Sequence, residues 1–125
     1  MAEARFLLDS NICIYILDEV DSAAVRRLES CEIGEAVTSS IVYAEVMLGA
    51  AQRNAMAESK RFFDLLPVLP FDSAAAECYA SLSFRRQSFD RLIAAHALSL
   101  ELTVVTSNFG DFADVPGLKV EDWTR

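Results

Sequence analysis

Histidine is nearly absent from this chain: His96 is the only one, and the three cysteines, Cys13, Cys31 and Cys78, never approach a Cys-x-x-Cys spacing. So few soft ligands leave a zinc site unsupported, and an odd, scattered set of thiols makes no disulfide framework. The cysteines read as small apolar residues. No apolar run reaches the roughly 20 residues that cross a bilayer. The opening Met1-Ala2-Glu3-Ala4-Arg5 lacks the hydrophobic stretch of a secretory leader. A cytoplasmic protein with no membrane-embedded part is the expectation. Basic residues are also scarce, 11 Lys and Arg against 19 Asp and Glu, a net charge of −8. That balance argues against nucleic-acid binding driven by bulk charge, because neutralising phosphates normally calls for an excess of cations.

What is present is enough apolar material for one real core. With 125 residues, 53% hydrophobic and 24% charged, the expectation is a single globular domain over residues 1–125. Phe6-Leu7-Leu8-Asp9 reads as a short buried strand, and the apolar spacing of Ile12, Cys13, Ile16 and Leu17 reads as a helix after it. Asp21-Ser22 is a helix start, Ala36-Val37-Thr38 a second strand, and Ser39 or Ser40 the cap of the helix carrying Glu45. Helical periodicity from Ala55 to Leu66 stops at Pro67, and Val68-Leu69 is a brief strand. Asp72 opens a helix through Phe84, and Ser88 opens another. Thr103 to Thr106 is β-branched, and Leu118 to Val120 fits an edge strand. Short apolar strands alternating with helices predict an α/β fold: a short central parallel sheet flanked by helices on both faces.

Four acids stand where solvation alone does not explain them. Asp9 ends the first apolar strand. Glu45 lies in Ile41-Val-Tyr-Ala-Glu-Val-Met-Leu48, with Ile41, Val42, Leu48 and Gly49 as its helical neighbours, so no local cation offsets it. Asp90 opens the apolar helix Asp90-Arg-Leu-Ile-Ala-Ala-His96, and Asp111 follows the strand Thr103–Thr106. Each has a bland reading: a helix cap for Asp9, a helix-dipole partner for Asp90, turn chemistry for Asp111. Together they gather at the carboxyl ends of strands, where parallel sheets form their sites. Ionised carboxylates near a core cost several kcal/mol unless offset, so a divalent cation is the common counter-charge. Oxygen-only ligands favour Mg²⁺ or Mn²⁺. The pattern points to metal-dependent phosphodiester hydrolysis.

Around the acids, Ser10 and Asn11 add oxygen-bearing side chains on one wall, and Thr106 and Asn108 on the other. Arg86 and Arg91 flank Asp90 and are candidate substrate contacts. His96, six residues beyond Asp90, points away from it on the same helix and reads as packed. Ser10, Ser39 and Ser40 show no partnered base in the sequence, which leaves Ser-His-Asp chemistry unsupported.

In order, Leu7-Leu-Asp9-Ser-Asn-Ile-Cys13, Ser39-Ser-Ile-Val-Tyr-Ala-Glu45, Phe89-Asp-Arg-Leu-Ile-Ala-Ala-His-Ala97 and Val105-Thr-Ser-Asn-Phe-Gly-Asp-Phe112 resemble the PIN domain. Specifically, they resemble the VapC-type toxins of bacterial toxin–antitoxin pairs. The likeness continues through Val115-Pro-Gly-Leu118 to Glu121-Asp-Trp123. It implies that Asp9, Glu45 and Asp90 bind the metal, with a fourth acid from the loop after the later strand. Some relatives carry that acid where this chain has Asn108, and Asp111 is the nearest replacement. Ser10 stands where Thr is more usual. The segment Arg85-Arg86-Gln87-Ser88-Phe89 is shorter than in many relatives, which bears on substrate preference. The resemblance implies an endoribonuclease toxin cutting RNA, often a tRNA. It further implies a homodimer and a cognate VapB-type antitoxin that blocks the site.

Two rival readings stand beside this one. A phosphoacceptor domain phosphorylated on Asp9 wants a second Asp close by and a Lys near a later strand, whereas Asn11 follows and only Lys60 and Lys119 exist. A catalytically degenerate PIN fold acting as a protein-binding module is the main alternative, motivated by Asn108.

Overall fold

β1 (Phe6–Leu8) runs through the middle of the molecule and is buried along its length. The structure, a computed structural model, describes residues 2–18, 22–82 and 88–124. After β1 come α1 (Ser10–Asp18), α2 (Ala23–Glu29), β2 (Ala36–Ser39), α3 (Ser40–Gln52), α4 (Met56–Leu65) and β3 (Val68–Leu69). The chain continues through α5 (Ser73–Ser81), α6 (Phe89–Ser99), β4 (Thr103–Val105), a 3-10 turn (Phe109–Asp111) and β5 (Val120–Glu121). The sequence-based elements are borne out, with shifts of a residue or two at their ends. The expected extension of α5 to Phe84 lies partly outside the described residues; the helix ends at Ser81.

All strand pairs are parallel, in the order β3-β2-β1-β4-β5. Parallel pairing buries both faces, which is why Leu7, Leu8, Val104 and Val105 are all fully covered. Caps fix where helices begin. Ser22, Ser39, Asp72 and Ser88 each accept a backbone N–H of the first turn, from Val25, Ile41, Ala75 and Arg91 respectively. Pro67, which cannot continue a helix, follows α4, and its carbonyl accepts the Thr38 N–H at 2.9 Å. At the far end, the buried Trp123 packs edge-on against Phe6, ring centroids 5.1 Å apart.

The strand order reverses at β1: the chain moves outward to β2 and β3, then returns to place β4 on the other side. In open parallel sheets such a switch point leaves a crevice at the carboxyl ends of the two flanking strands. Leu8 and Val105 are paired there, and the next residues are Asp9 and Thr106.

Candidate acidic site

Asp9 sits at the mouth of that crevice and is 1% exposed. Its N–H donates to the Val105 carbonyl at 3.0 Å, which continues the ladder for one residue. Its Oδ1 accepts the Ile12 N–H at 2.9 Å, so the capping role is real. Capping does not account for the rest of the environment. Burial pushes the Asp9 carboxyl up to about 6; hydrogen bonds from Thr106 and the Ile12 amide oppose that, and the charges of Asp90 and Glu45 reinforce it. A cap alone would face solvent, not two further acids.

Glu45 projects from the middle of α3, a helix apolar on nearly every side, with Ala44, Leu48 and Ala51 exposed and Val42, Val46 and Met47 buried. Ser10 Oγ donates to Glu45 Oε1 at 2.6 Å and holds it toward β1. Asp90, in the first turn of α6, is likewise pushed up to about 6, chiefly by burial. The charge of Asp111, a carboxyl–carboxyl hydrogen bond with it, and Glu45 add to the rise, while Arg91 works against it. Asp111 accepts from Asn108 Nδ2 at 2.7 Å, and the Asn108 N–H donates to Thr106 Oγ1 at 2.9 Å. The four acids anticipated from sequence therefore interact across four segments of chain.

The other expected site residues divide. Ser10, Thr106 and Asn108 contact Glu45, Asp9 and Asp111 respectively. Asn11 is exposed on the first turn of α1. Arg91 forms an ion pair with the exposed Asp114 while also lowering the Asp90 carboxyl. Arg86 lies outside the described residues. One expectation is corrected: Ser39 does have a histidine partner, since His96 Nδ1 lies 2.8 Å from Ser39 Oγ. Both are buried, at 0% and 1% exposure, so this pair meets no substrate and supports no nucleophilic chemistry. His96 is packed, as expected, with the Phe71 ring edge-on at 5.5 Å. Sequence reasoning also missed Thr38, whose buried hydroxyl donates to the Leu8 carbonyl at 2.7 Å, one residue before Asp9. Nothing in the local pattern marked it, because a Thr in a strand is ordinary.

The donor chemistry fits a hard divalent cation: carboxylates and hydroxyls, with repulsion among the acids that Arg91 only partly relieves. Among the described residues, however, no group of three or more His, Cys, Asp or Glu meets in a geometry ready to hold a metal ion. The cysteines are free thiols, with Cys13 buried. No helix among the described residues is long and apolar enough to cross a membrane.

A parallel sheet with acids gathered at its switch point defines a class, and the family model for the PIN domain matches residues 6–118. The chain belongs to the PIN-domain family. It is 35% identical to the "tRNA(fMet)-specific endonuclease VapC" of Shigella flexneri, covering 96% of this chain and 98% of that protein. It is 26% identical to "Ribonuclease VapC2" of Rickettsia felis over the same shares of each. Among solved structures, VapBC of Salmonella typhimurium bound to DNA superposes with a TM-score of 0.85 at 29% identity, covering 96% and 98% of the two chains. VapBC2 of Rickettsia felis bound to a promoter DNA fragment gives 0.83 at 26%, covering 94% and 98%. Within the family, this is a nuclease of the VapC type.

Proposed function

We propose that the protein is a Mg²⁺- or Mn²⁺-dependent endoribonuclease, the toxin of a toxin–antitoxin pair, acting in the cytoplasm. The observation that carries the metal dependence is the convergence of Asp9, Glu45, Asp90 and Asp111 at the sheet's switch point, where burial first and the neighbouring carboxylates second push Asp9 and Asp90 up to about 6. Asp9, Glu45 and Asp90 would hold the ion, directly or through water, with Asp111 completing the set. When bound, such an ion supplies an activated water and offsets charge on the phosphate. The chain's own residues do the positioning. The Ile12 amide and Thr106 fix the Asp9 carboxylate, Ser10 aims Glu45, and Asn108 aims Asp111. That use of Asn108 favours a working site over a degenerate binding module.

RNA is the substrate, and tRNA the first class to test, because relatives matched over nearly the full chain carry that name. A VapB-type antitoxin is the natural partner, since the solved neighbours include VapBC complexes. A net charge of −8 suits a partner with basic segments. Exposed Ile33, Leu48 and Leu65 offer apolar surface for the antitoxin and for a second copy in a homodimer. The test is incubation of purified, partner-free protein with total tRNA, and separately with ribosomal RNA, in Mg²⁺. Discrete tRNA fragments are expected. Intact tRNA beside cleaved ribosomal RNA would move the substrate class, and no cleavage of either would return the binding module.

A further inference from the structure

Two helices carry acids of the site, α3 with Glu45 and α6 with Asp90, and a buried Ser39–His96 hydrogen bond ties α6 to the start of α3. We propose that the Ser39–His96 pair is a positioning joint that sets where Asp90 stands relative to Glu45. The inference rests on the metal-site reading given above and adds residues that touch neither metal nor substrate.

Ser39 is the N-cap of α3, six residues before Glu45, and His96 lies on α6, six residues after Asp90. Ser39 Oγ serves both helices at once. It accepts the Ile41 N–H at 3.1 Å and bonds His96 Nδ1 at 2.8 Å. The neighbouring hydroxyl continues the same knot: Ser40 Oγ accepts the Phe71 N–H at 3.0 Å, and the Phe71 ring stands edge-on to the imidazole. Burial lowers the His96 pKa, opposed by Asp72, which favours the neutral imidazole against the Ser39 hydroxyl. With Oγ accepting the Ile41 N–H, its own O–H is free to donate to an unprotonated Nδ1, the tautomer deciding the direction of the bond.

An imidazole is an expensive way to fill this space. The residues around it on α6, Ala94, Ala95 and Ala97, are fully buried and apolar, and an apolar side chain would avoid desolvating ring nitrogens. What a hydrogen bond adds over packing is direction. Six residues of helix span about 9 Å, so each acid sits at the end of a rigid arm from the joint. A tilt of about 10° between the arms would displace a carboxylate by roughly 1.5 Å, whereas productive sites tolerate only about 0.5 Å.

The experiment measures Mn²⁺ binding by calorimetry on metal-free protein, for wild type, His96→Leu and His96→Asn, with folding of each checked by circular dichroism and thermal unfolding. Asn places an amide close to where Nδ1 lies, so it serves as the conservative rescue. We expect His96→Leu to remain folded and bind Mn²⁺ about tenfold more weakly, with His96→Asn recovering most of that affinity. A lower Tm with unchanged Mn²⁺ affinity would make the pair merely structural and overturn the proposal, as would equal weakening in both variants. Should His96→Leu fail to fold, Ser39→Gly removes Oγ while keeping an acceptable cap. It should show the same tenfold loss, and wild-type affinity there would overturn the joint. Failure of the wild type itself to bind Mn²⁺ would remove the metal site and this inference together. Wild-type binding with unaltered variants removes the inference alone.

Discussion

Asp9 shows how a single side chain can oppose folding while serving a site. Its pKa of about 6, against an ordinary 3.8, means the folded state keeps a proton that the unfolded chain releases between about pH 4 and pH 6. Folded stability therefore falls as pH rises through that window, and the full penalty stands above it. A shift of about 2 units corresponds to about 3 kcal/mol. Asp9→Asn keeps an acceptor for the Ile12 amide and a donor for Thr106 Oγ1, and it removes the charge. Without metal at pH 7.5, that variant should be more stable than wild type by about 1–3 kcal/mol in urea unfolding, the advantage vanishing near pH 4. A variant less stable than wild type at pH 7.5 would mean that the carboxylate is already compensated by protein groups. At the same scale, Ser10→Ala frees Glu45 from its 2.6 Å donor. Its nuclease rate should fall roughly 10-fold, with stability changed by less than about 1 kcal/mol; wild-type activity would remove Ser10 from the site.

The helices were the most legible elements, because their signals are local. Ser22, Ser39, Asp72 and Ser88 could be picked out as caps since each acts on an amide two or three residues away. What escaped was set by distant pairing. Ser39 and His96 are 57 residues apart, and Arg91 and Asp114 are 23 apart, so neither bond leaves a trace in local spacing. Periodicity could not say which face of α3 is buried, since apolar residues surround it; Glu45 itself was the marker. Helix ends also carry cost. Glu101 ends α6 in the left-handed region at φ 57°, with the Leu102 N–H returning to the Ala97 carbonyl at 2.9 Å and the Glu101 N–H to Leu98. Glycine suits that position better than Glu. Glu101→Gly should stabilise the protein by roughly 0.5–1 kcal/mol, read as a rise in urea midpoint. A fall would show that the exposed Glu101 side chain contributes more than its backbone strain costs.

Across the whole molecule, the site depends on a sheet whose centre is tied to Trp123, far along the chain. Trp123 is fully buried against Phe6, with the Arg27 guanidinium 4.9 Å above its ring. Trp123→Ala should cost about 3–5 kcal/mol, a large part of the stability of a protein this size. Wild-type unfolding behaviour in that variant would contradict the packing. Parallel strands and the positions of Asp9 and Asp111 beside them were readable from sequence, because buried parallel strands are continuously apolar. The order of the strands was not, since no pattern within Thr103–Val105 states which edge of β1 it joins. The metal requirement is the central claim, and it is tested most directly by RNA cleavage with Mg²⁺, with Mn²⁺, with EDTA, and with Mg²⁺ restored after EDTA, beside Asp9→Asn. Cleavage that disappears with EDTA, returns with Mg²⁺ and is absent from Asp9→Asn is the predicted result. Cleavage that persists in EDTA, or in Asp9→Asn at the wild-type rate, would contradict it.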